Sequence, residues 1–439
     1  MPSAVVIGRG VIGAAIALEL ARRGWDVTGI DRHAAAGHGS TSASSGVVRT
    51  YYSTRDGTAL AWEGFHAWRA FAAELEVPAG APAATMREVG CLVLDGGGGG
   101  DGSGAGLLRT HRAIADALGI PWAWWDADEI ARRVPGIDLS RYAPVKRPDD
   151  PGFAMPGGAP LAGGVWWPCS GYVADPMLAA QNLWDAAARA GARALRGTVV
   201  GFDAAPGPGG RVRAVRLDGG DAVAADVIVN AAGPASGRIN ALAGAAADMG
   251  VRPRPKRQEV VHLPPAPGSD IAPQTIMIAD ADAGVYSRPE RNGVLVGSLE
   301  PPCDPPVHPE DADAVASEFT DQWDAQAMRY AQRMPAQGLP RRRAGVVACY
   351  DVTEDWLPIY DRSARPGFYM ACGTSGNQFK VAPVAGHLMA ELIGYVEGGG
   401  DQDGAPLEVA LPRTGLRIGT GTFSRLRRPN AQSSGTVLG

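Results

Sequence analysis

Residues 4–31 read AVVIGRGVIGAAIALELARRGWDVTGID, and this stretch decides the fold of the chain. The apolar run before Gly8 predicts a short buried strand, and the apolar spacing over residues 11–23 predicts a helix that Gly24 ends. A second apolar strand then runs to Asp31. A strand, a glycine-rich turn, a helix and a second strand in this order predict a dinucleotide-binding unit.

The three glycines of the turn are needed for different physical reasons. Gly8 permits the tight turn, Gly10 lets the backbone approach a pyrophosphate, and Gly13 lets the helix pack closely on the strand. The first amides of the helix, which belong to Val11 and Ile12, face the phosphates because a helix N-terminus carries partial positive charge. We therefore predict that this turn binds the diphosphate of a cofactor.

The end of the second strand narrows the choice of cofactor. Asp31 stands close to the spacing of about 20 residues at which a carboxylate accepts the ribose hydroxyls. A carboxylate at this position disfavours a ribose 2′-phosphate, although Arg32 beside it is a further candidate for cofactor contact. NAD, NADP and FAD proteins all use this unit, so the opening stretch alone leaves the three open.

The composition restricts the class of protein. With 439 residues the chain is long enough for two domains, and its 45% apolar and 20% charged residues are those of a globular protein. The net charge of -5 predicts no nucleic-acid partner, and the lack of an apolar run of about 18 residues predicts no membrane span. The five cysteines lack disulfide or metal-site spacing, which favours the reducing cytoplasm and no metal.

Later segments return to the first sheet. Residues 226–230 predict a buried strand that enters a turn, and residues 367–373 predict another, followed by a turn at residues 374–380 and a helix. Asp175 and Pro176 predict the N-cap and first residue of a further helix.

The domain that contains this sheet is therefore discontinuous. Between its pieces the pattern is rich in strands, with one helix predicted over residues 311–334. The predicted division is residues 1–90, 165–240 and 345–396 for a cofactor-binding domain, 91–164 and 241–344 for a substrate-binding domain, and 397–439 for a tail to which we assign no function.

Four segments together resemble one family: residues 8–13 with Asp31, 165–176, 229–234 and 373–383. In order and spacing they are similar to the flavin-dependent amine and amino acid oxidoreductases of the D-amino acid oxidase and sarcosine oxidase type. The resemblance implies FAD and a glutathione reductase-like architecture, in which a discontinuous Rossmann-like α/β domain binds FAD and a mainly antiparallel α+β domain binds substrate. Of the four segments, residues 373–383 distinguish best between a flavoprotein and a nicotinamide-dependent protein. In a flavoprotein the helix N-terminus at this place faces the flavin pyrimidine.

The resemblance also implies which residues hold FAD. Small hydroxyl residues match positions near the pyrophosphate and ribityl chain, and the second turn matches positions beside the flavin ring. In addition to the first turn and Asp31, the implied cofactor-binding residues are Arg32, Ser40, Thr41, Ser42, Val200, Ala232, Gly233, Gly373, Gly376, Asn377, Gln378, Phe379 and Lys380.

Covalent attachment of the flavin is not expected. Some relatives attach it through a histidine, and this chain has Ala43 at the matching position. Sarcosine oxidases attach it through a cysteine, and the matching position here is Ala348, with Cys349 one residue away as the alternative. We therefore predict non-covalent FAD.

The expected substrate is a small amine or amino acid. If it is an amino acid, the enzyme can bind it by its carboxylate. An arginine fork grips a carboxylate with two bonds, and a lysine adds a point charge. Arg49 and Lys380 match family positions that bind the substrate carboxylate, and Tyr350 matches an active-site tyrosine. We expect these three catalytic candidates to converge from distant parts of the chain. Weaker candidates for the pocket are Tyr51, Tyr52, Arg288, Lys256 and Arg257.

The expected reaction is oxidation of a C–N bond by hydride transfer to flavin N5, which gives an imine. Sarcosine oxidases carry a lysine that promotes reaction with oxygen, and the matching position here is Leu295, so the electron acceptor is either O2 or another carrier. Two alternatives remain open. One is a flavin-dependent 2-hydroxy acid dehydrogenase, which needs a base for the hydroxyl proton, and the other is a non-catalytic flavin-binding subunit.

Overall fold

The computed structural model describes residues 1–96, 105–207, 209–265 and 274–438. Its strands are β1 (Ser3–Ile7), β2 (Asp26–Asp31), β3 (Val47–Val48), β4 (Met86–Glu88), β5 (Cys91–Leu94), β6 (Ala123–Asp126), β7 (Gly163–Trp167), β8 (Gly171–Val173), β9 (Arg193–Arg196), β10 (Val199–Ala204), β11 (Val212–Leu217), β12 (Ala222–Ala224), β13 (Val227–Asn230), β14 (Arg254–Leu263), β15 (Met277–Asp280), β16 (Val285–Glu290), β17 (Gly293–Ser298), β18 (Gly345–Val352), β19 (Ile359–Arg362), β20 (Phe368–Cys372), β21 (Glu408–Ala410) and β22 (Arg417–Gly419). Its helices are α1 (Val11–Arg22), α2 (Arg55–Arg69), α3 (Phe71–Glu74), α4 (Ala105–Leu118), α5 (Ala127–Arg133), α6 (Pro176–Arg189), α7 (Ser236–Leu242), α8 (Asp321–Arg333) and α9 (Ala382–Glu397).

The first sheet has six strands in the order β19-β20-β13-β1-β2-β9. Its strands run parallel except for β19, which is antiparallel at the edge. Helices α1, α6 and α9 cover one face, and the sheet β10-β11-β12 with α7 covers the other. The predicted Rossmann-like arrangement is confirmed, because parallel strands buried on both faces require such crossover connections.

Helix α1 is apolar on nearly every side because it lies between α6 and α9. The α1–α9 contact is close: a Cβ placed on Gly386 would lie 2.3 Å from the carbonyl oxygen of Ala15. Gly24 follows α1 with a φ of +81°, a conformation that favours glycine. Asp175 caps α6 by accepting a hydrogen bond of 2.8 Å from the amide of Leu178. Both helix-end predictions are confirmed.

The second sheet has eight strands in the order β18-β14-β17-β16-β15-β5-β7-β6. All of its neighbouring strands are antiparallel except β15 and β5, and α8 packs on β14, β16 and β17. The structure therefore has the predicted second unit with a mainly antiparallel sheet. Strands β7 and β18 belong to this sheet, although the proposed boundaries at residues 165 and 345 assign most of both to the cofactor domain.

One further prediction, the start of helix α8, changes in detail. Helix α8 begins at Asp321, not at residue 311, because Thr320 caps it by accepting from the amide of Gln322. Ahead of it, only residues 312–314 form a short 3-10 turn. No helix within the described ranges is both long enough and apolar enough to cross a bilayer.

Candidate active site

A cavity of about 510 Å³ lies between the first and second sheets. On one side its walls are the two glycine turns, the loop after β2 and the turn after β13, and on the other side they are β15, β16 and β18. The predicted site residues on these walls are Gly8, Gly10, Val11, Ile12, Asp31, Arg32, Ser40, Thr41, Ser42, Arg49, Ala232, Gly233, Tyr350, Gly376, Asn377, Gln378, Phe379 and Lys380. The structure thus brings both glycine turns to one cavity.

Three predicted residues lie off these walls. Gly13 and Gly373 support the turns by close packing rather than by lining the cavity. A Cβ on Gly13 would lie 1.9 Å from the carbonyl oxygen of Gly8, and one on Gly373 would lie 2.5 Å from the side chain of Thr353. Val200 is 48% exposed, whereas its neighbour Val199 lines the cavity. Successive side chains of a strand point to opposite faces, so we correct the candidate from Val200 to Val199.

The first turn has the shape that a diphosphate needs. Gly8 has a φ of +98°, and a Cβ on it would lie 2.3 Å from the carbonyl oxygen of Ala231. Helix α1 starts after Gly10 without a side-chain cap and without an acidic residue in its first turn, so its N-terminal positive charge is not neutralised locally. The amide of Val11 donates to Thr41 Oγ1 over 3.1 Å, which ties the polar loop to the turn. These residues fit the phosphates of a dinucleotide.

The carboxylate of Asp31 is held rigidly at the end of β2. Its two oxygens accept the amides of Arg9 over 2.7 Å and of His33 over 2.9 Å. Neighbouring Arg32 forms an ion pair with Asp313, which also lines the cavity. Because its positive charge is already paired, Arg32 is a weaker candidate for a ribose phosphate than the sequence alone indicates.

The second turn, after β20, packs against the predicted active-site tyrosine. Gly376 has a φ of +64°, and a Cβ on it would lie 2.4 Å from the ring of Tyr350. Asn377 and Gln378 are tied to Tyr52, whose hydroxyl donates to the carbonyl of Asn377 over 2.9 Å and accepts from Gln378 over 2.8 Å. The turn leads directly into a 3-10 turn and then α9. A helix start therefore faces the cavity, as the flavin-binding interpretation requires.

Arg49 and Lys380 both contact the same aromatic ring, that of Tyr52. The guanidinium carbon of Arg49 lies 4.4 Å from the ring centroid of Tyr52, and the Nζ of Lys380 lies 4.5 Å from the same centroid. Both side chains are buried, with residue exposures of 4% and 1%. Their hydrogen bonds go to backbone carbonyls: Arg49 donates to Tyr51 and Val437, and Lys380 donates to Asn377.

The two cations have no acidic partner within 4.0 Å among the described residues. Burial lowers the pKa of Lys380 well below its ordinary value, and the charge of Arg49 lowers it further. Two buried cations without a carboxylate are costly. The pocket is therefore electrostatically complementary to an anion.

The weaker cationic candidates differ because each already has an acidic partner. Lys256 pairs with Glu300, Arg257 with Glu259, and Arg288 with Glu290. None of the three basic side chains is on the cavity wall. Of the weaker aromatic candidates, Tyr51 lines the cavity and the ring of Tyr52 contacts both cations.

Tyr350 and Cys349 both reach the cavity from β18. Tyr350 lies beside Tyr286, whose hydroxyl hydrogen-bonds to that of Ser45 over 2.9 Å, and burial raises the pKa of Tyr350 well above its ordinary value. Burial raises the pKa of the Cys349 thiol to about 11, so the thiol stays protonated and is a weak nucleophile. This property favours the predicted non-covalent cofactor.

Apart from Tyr350, sequence reasoning missed the far wall of the cavity. Cys91, Met277, Tyr286 and Leu299 line it from the second sheet, and Leu438 lines it from the C-terminal segment. The strand pattern marks β16 and β17 in the sequence, but only the pairing register decides which of their side chains face the cavity.

Comparison with known proteins places this geometry in context. A sequence model of the family described as FAD dependent oxidoreductase (DAO) matches residues 3–392. None of the curated protein sequences matches the chain.

Solved structures of similar fold cover nearly all of the chain. L-proline dehydrogenase from P. horikoshii superposes with a TM-score of 0.72 at 21% identity, covering 97% of each chain. Glycine oxidase from Geobacillus kaustophilus has a TM-score of 0.68 at 23% identity, covering 92% of this chain and 98% of that one. Iminodiacetate oxidase from Chelativorans sp. BNC1 has a TM-score of 0.63 at 20% identity, covering 89% and 95%.

Proposed function

Since the chain belongs to the DAO family of FAD-dependent oxidoreductases, we propose that it oxidises the C–N bond of an amino acid or a carboxylated secondary amine to an imine. The observation that carries this proposal is the pair of buried cations, Arg49 and Lys380, on the wall of the cavity that holds both glycine turns. Glycine and proline, named by two of the similar structures, are carboxylated amines. FAD is the cofactor of the family.

The cations define where the substrate binds. The guanidinium of Arg49 offers two N–H donors that match the two oxygens of a carboxylate, and the Nζ of Lys380 adds a point charge. Binding of the carboxylate favours the protonated lysine, because an opposite charge offsets the burial that lowers its pKa. The carboxylate thus fixes the position of the carbon that bears the nitrogen.

The remaining groups prepare the amine. FAD, when bound, accepts a hydride equivalent from the carbon next to nitrogen, for which the nitrogen must carry a free electron pair. The positive charges of Arg49 and Lys380 lower the pKa of the substrate ammonium and so favour its neutral form. We assign to the hydroxyl of Tyr350, which lines the cavity, a hydrogen bond that orients the amine.

Anaerobic reduction of the holoenzyme tests the proposal. The absorption of the oxidised flavin is followed while D-, L- and N-methyl amino acids are added one at a time, with 2-hydroxy acids as the comparison series. We expect at least one amino acid to bleach the flavin and to release an imine-derived carbonyl compound, and we expect no bleaching by hydroxy acids. Bleaching by hydroxy acids alone would support the alternative dehydrogenase instead.

Reoxidation of the reduced enzyme then identifies the acceptor class. Leu295, which matches the oxygen-activating lysine of sarcosine oxidases, does not line the cavity. Mixing the reduced enzyme with air-saturated buffer, and separately with a quinone, measures whether O2 or another acceptor takes the electrons.

A further inference from the structure

The C-terminal arm, residues 399–438, lies outside the residues that the family model matches. It is nonetheless fixed to the first unit by buried ion pairs and hydrogen bonds. These anchors are Arg413 on Glu63, Thr422 on Asp56, Arg425 on Asp248 and Asp361, and Arg427 on Asp355. The last anchor is the amide of Asn430, which donates to Asp355 over 3.2 Å. Residues 431–438, the tip of the arm, follow it.

The tip enters the candidate substrate pocket. The carbonyl oxygen of Val437 accepts a hydrogen bond from Arg49 Nη2, and Val437 and Leu438 both line the cavity. Leu438 is 6% exposed and belongs to the same apolar cluster as Tyr51 and Met277. Within the described residues, the other hydrogen bonds of residues 434–438 stay inside the tip, through Ser433, Ser434 and Thr436.

The tip therefore occupies a donor that the proposed substrate needs. Arg49 donates from Nη1 to the carbonyl of Tyr51 and from Nη2 to the carbonyl of Val437, so a carboxylate competes with the tip for the N–H groups of Nη2. A neutral carbonyl is a weaker partner for a guanidinium than a carboxylate, because charge-assisted hydrogen bonds are about twice as strong. A carboxylate can thus displace the tip without disturbing the anchors before Asn430.

We propose that residues 431–438 are a built-in competitor for the carboxylate site: the tip holds Arg49 in the resting enzyme, and a carboxylated substrate must displace it. This inference rests on the proposed function, because the competition exists only if Arg49 binds the substrate carboxylate. It predicts that the tip lowers the affinity for small carboxylates and becomes exposed when one binds.

Titration of the oxidised holoenzyme with acetate, followed by the change in flavin absorption, tests this. A chain that ends at Asn430 should bind acetate about tenfold more tightly than the full chain. The full-length variant Leu438→Ser, which keeps the backbone but weakens the packing of the tip, should also bind more tightly, by a smaller factor. Leu426→Ser is the matched control, since Leu426 lies in the anchored part of the arm and is 41% exposed, and it should leave acetate affinity unchanged.

Hydrogen exchange on the full-length holoenzyme gives a second readout. Acetate should speed the exchange of the amides of residues 434–438 and leave the anchored part of the arm unchanged. If both tip variants bind acetate no more tightly than the full-length wild type, the inference about the tip is wrong, but the proposed carboxylate site still stands. If Arg49→Met does not change acetate affinity, the proposed carboxylate site itself is wrong, and the tip inference falls with it.

Discussion

Arg49 and Lys380 are the two residues on which the functional account depends most. Each of the two side chains contacts the ring of Tyr52 and donates hydrogen bonds to backbone carbonyls. These contacts do not neutralise a positive charge. A cation–π contact contributes about 0.5–2 kcal/mol, less than the cost of burying an unpaired charge. A carboxylate bound beside both of them, as we propose, would offset that cost.

Arg49→Met should weaken binding of a carboxylated substrate by about 100-fold, because the charge-assisted hydrogen bonds that it removes are each worth about 1.5–3 kcal/mol. Arg49→Lys is the matched variant: it keeps the charge, loses the planar fork and should fall in between. The dissociation constant comes from the dependence of the anaerobic flavin reduction rate on substrate concentration. Equal constants for the wild type and Arg49→Met would rule out the assigned role.

Carboxylate binding should depend on pH through Lys380. Burial lowers the pKa of Lys380, so the free enzyme holds this lysine deprotonated above the lowered pKa, whereas the bound carboxylate favours the protonated form. Binding then takes up a proton, and the affinity for acetate should fall with rising pH by up to about tenfold per unit. The measurement is the acetate dissociation constant from about pH 6 to about pH 10, the range below the lysine reference value of about 10.4 into which the pKa of Lys380 is lowered. Lys380→Met should remove this slope, and an unchanged slope in that variant would assign it to another group.

Because we predict non-covalent FAD, the flavin should be released when the protein is unfolded. Burial raises the pKa of Cys349 to about 11, which keeps its thiol from acting as a nucleophile at neutral pH. After acid precipitation, the yellow colour is expected in the supernatant for both the wild type and Cys349→Ala. Colour that stays in the wild-type pellet and moves to the supernatant in Cys349→Ala would identify a covalent link.

At the scale of elements, helix α9 connects the second glycine turn to the core. It packs on α1, so the two helices that start at the two turns also support each other. Their contact is close enough for a single added methyl group to matter, because protein interiors are packed as densely as crystals.

Gly386→Ala should destabilise the protein by about 1–3 kcal/mol, since its Cβ would lie 2.3 Å from the carbonyl oxygen of Ala15 and the helices would have to separate. Gly394→Ala is the control in the same helix, where nothing lies within 4 Å of an added Cβ, and it should stabilise by up to about 1 kcal/mol through helix propensity. Urea unfolding of the two holoenzyme variants measures both changes. A stabilised Gly386→Ala would contradict the packing described here.

Elements differ in how well the sequence predicts them. The start of α6 follows from Asp175 and Pro176, because an N-cap and a proline at the first helical position act on the residues next to them. The start of α8 was predicted too early, because the local periodicity does not show that Thr320 caps the helix. Strands β7 and β18 read as parts of the first unit by position along the chain, yet their hydrogen-bond partners lie in the second sheet.

At the scale of the whole molecule, local motifs made the cofactor side of the cavity predictable. The two glycine turns and the carboxylate at Asp31 are each encoded by a few adjacent residues, and the structure places them on one cavity. The opposite wall was not predictable in the same way, since Tyr286 and Leu438 reach it through sheet register and through the path of the C-terminal arm. Long-range packing of this kind leaves no spacing signal in a single sequence.

We propose that one cavity holds the flavin and, beside Arg49 and Lys380, the carboxylate of an amine substrate. A crystal structure of the FAD-bound enzyme soaked with acetate tests it most directly. The account predicts the acetate oxygens within hydrogen-bond distance of both side chains, with Val437 moved away from Arg49. Acetate bound elsewhere, with Arg49 still bonded to Val437, would contradict it.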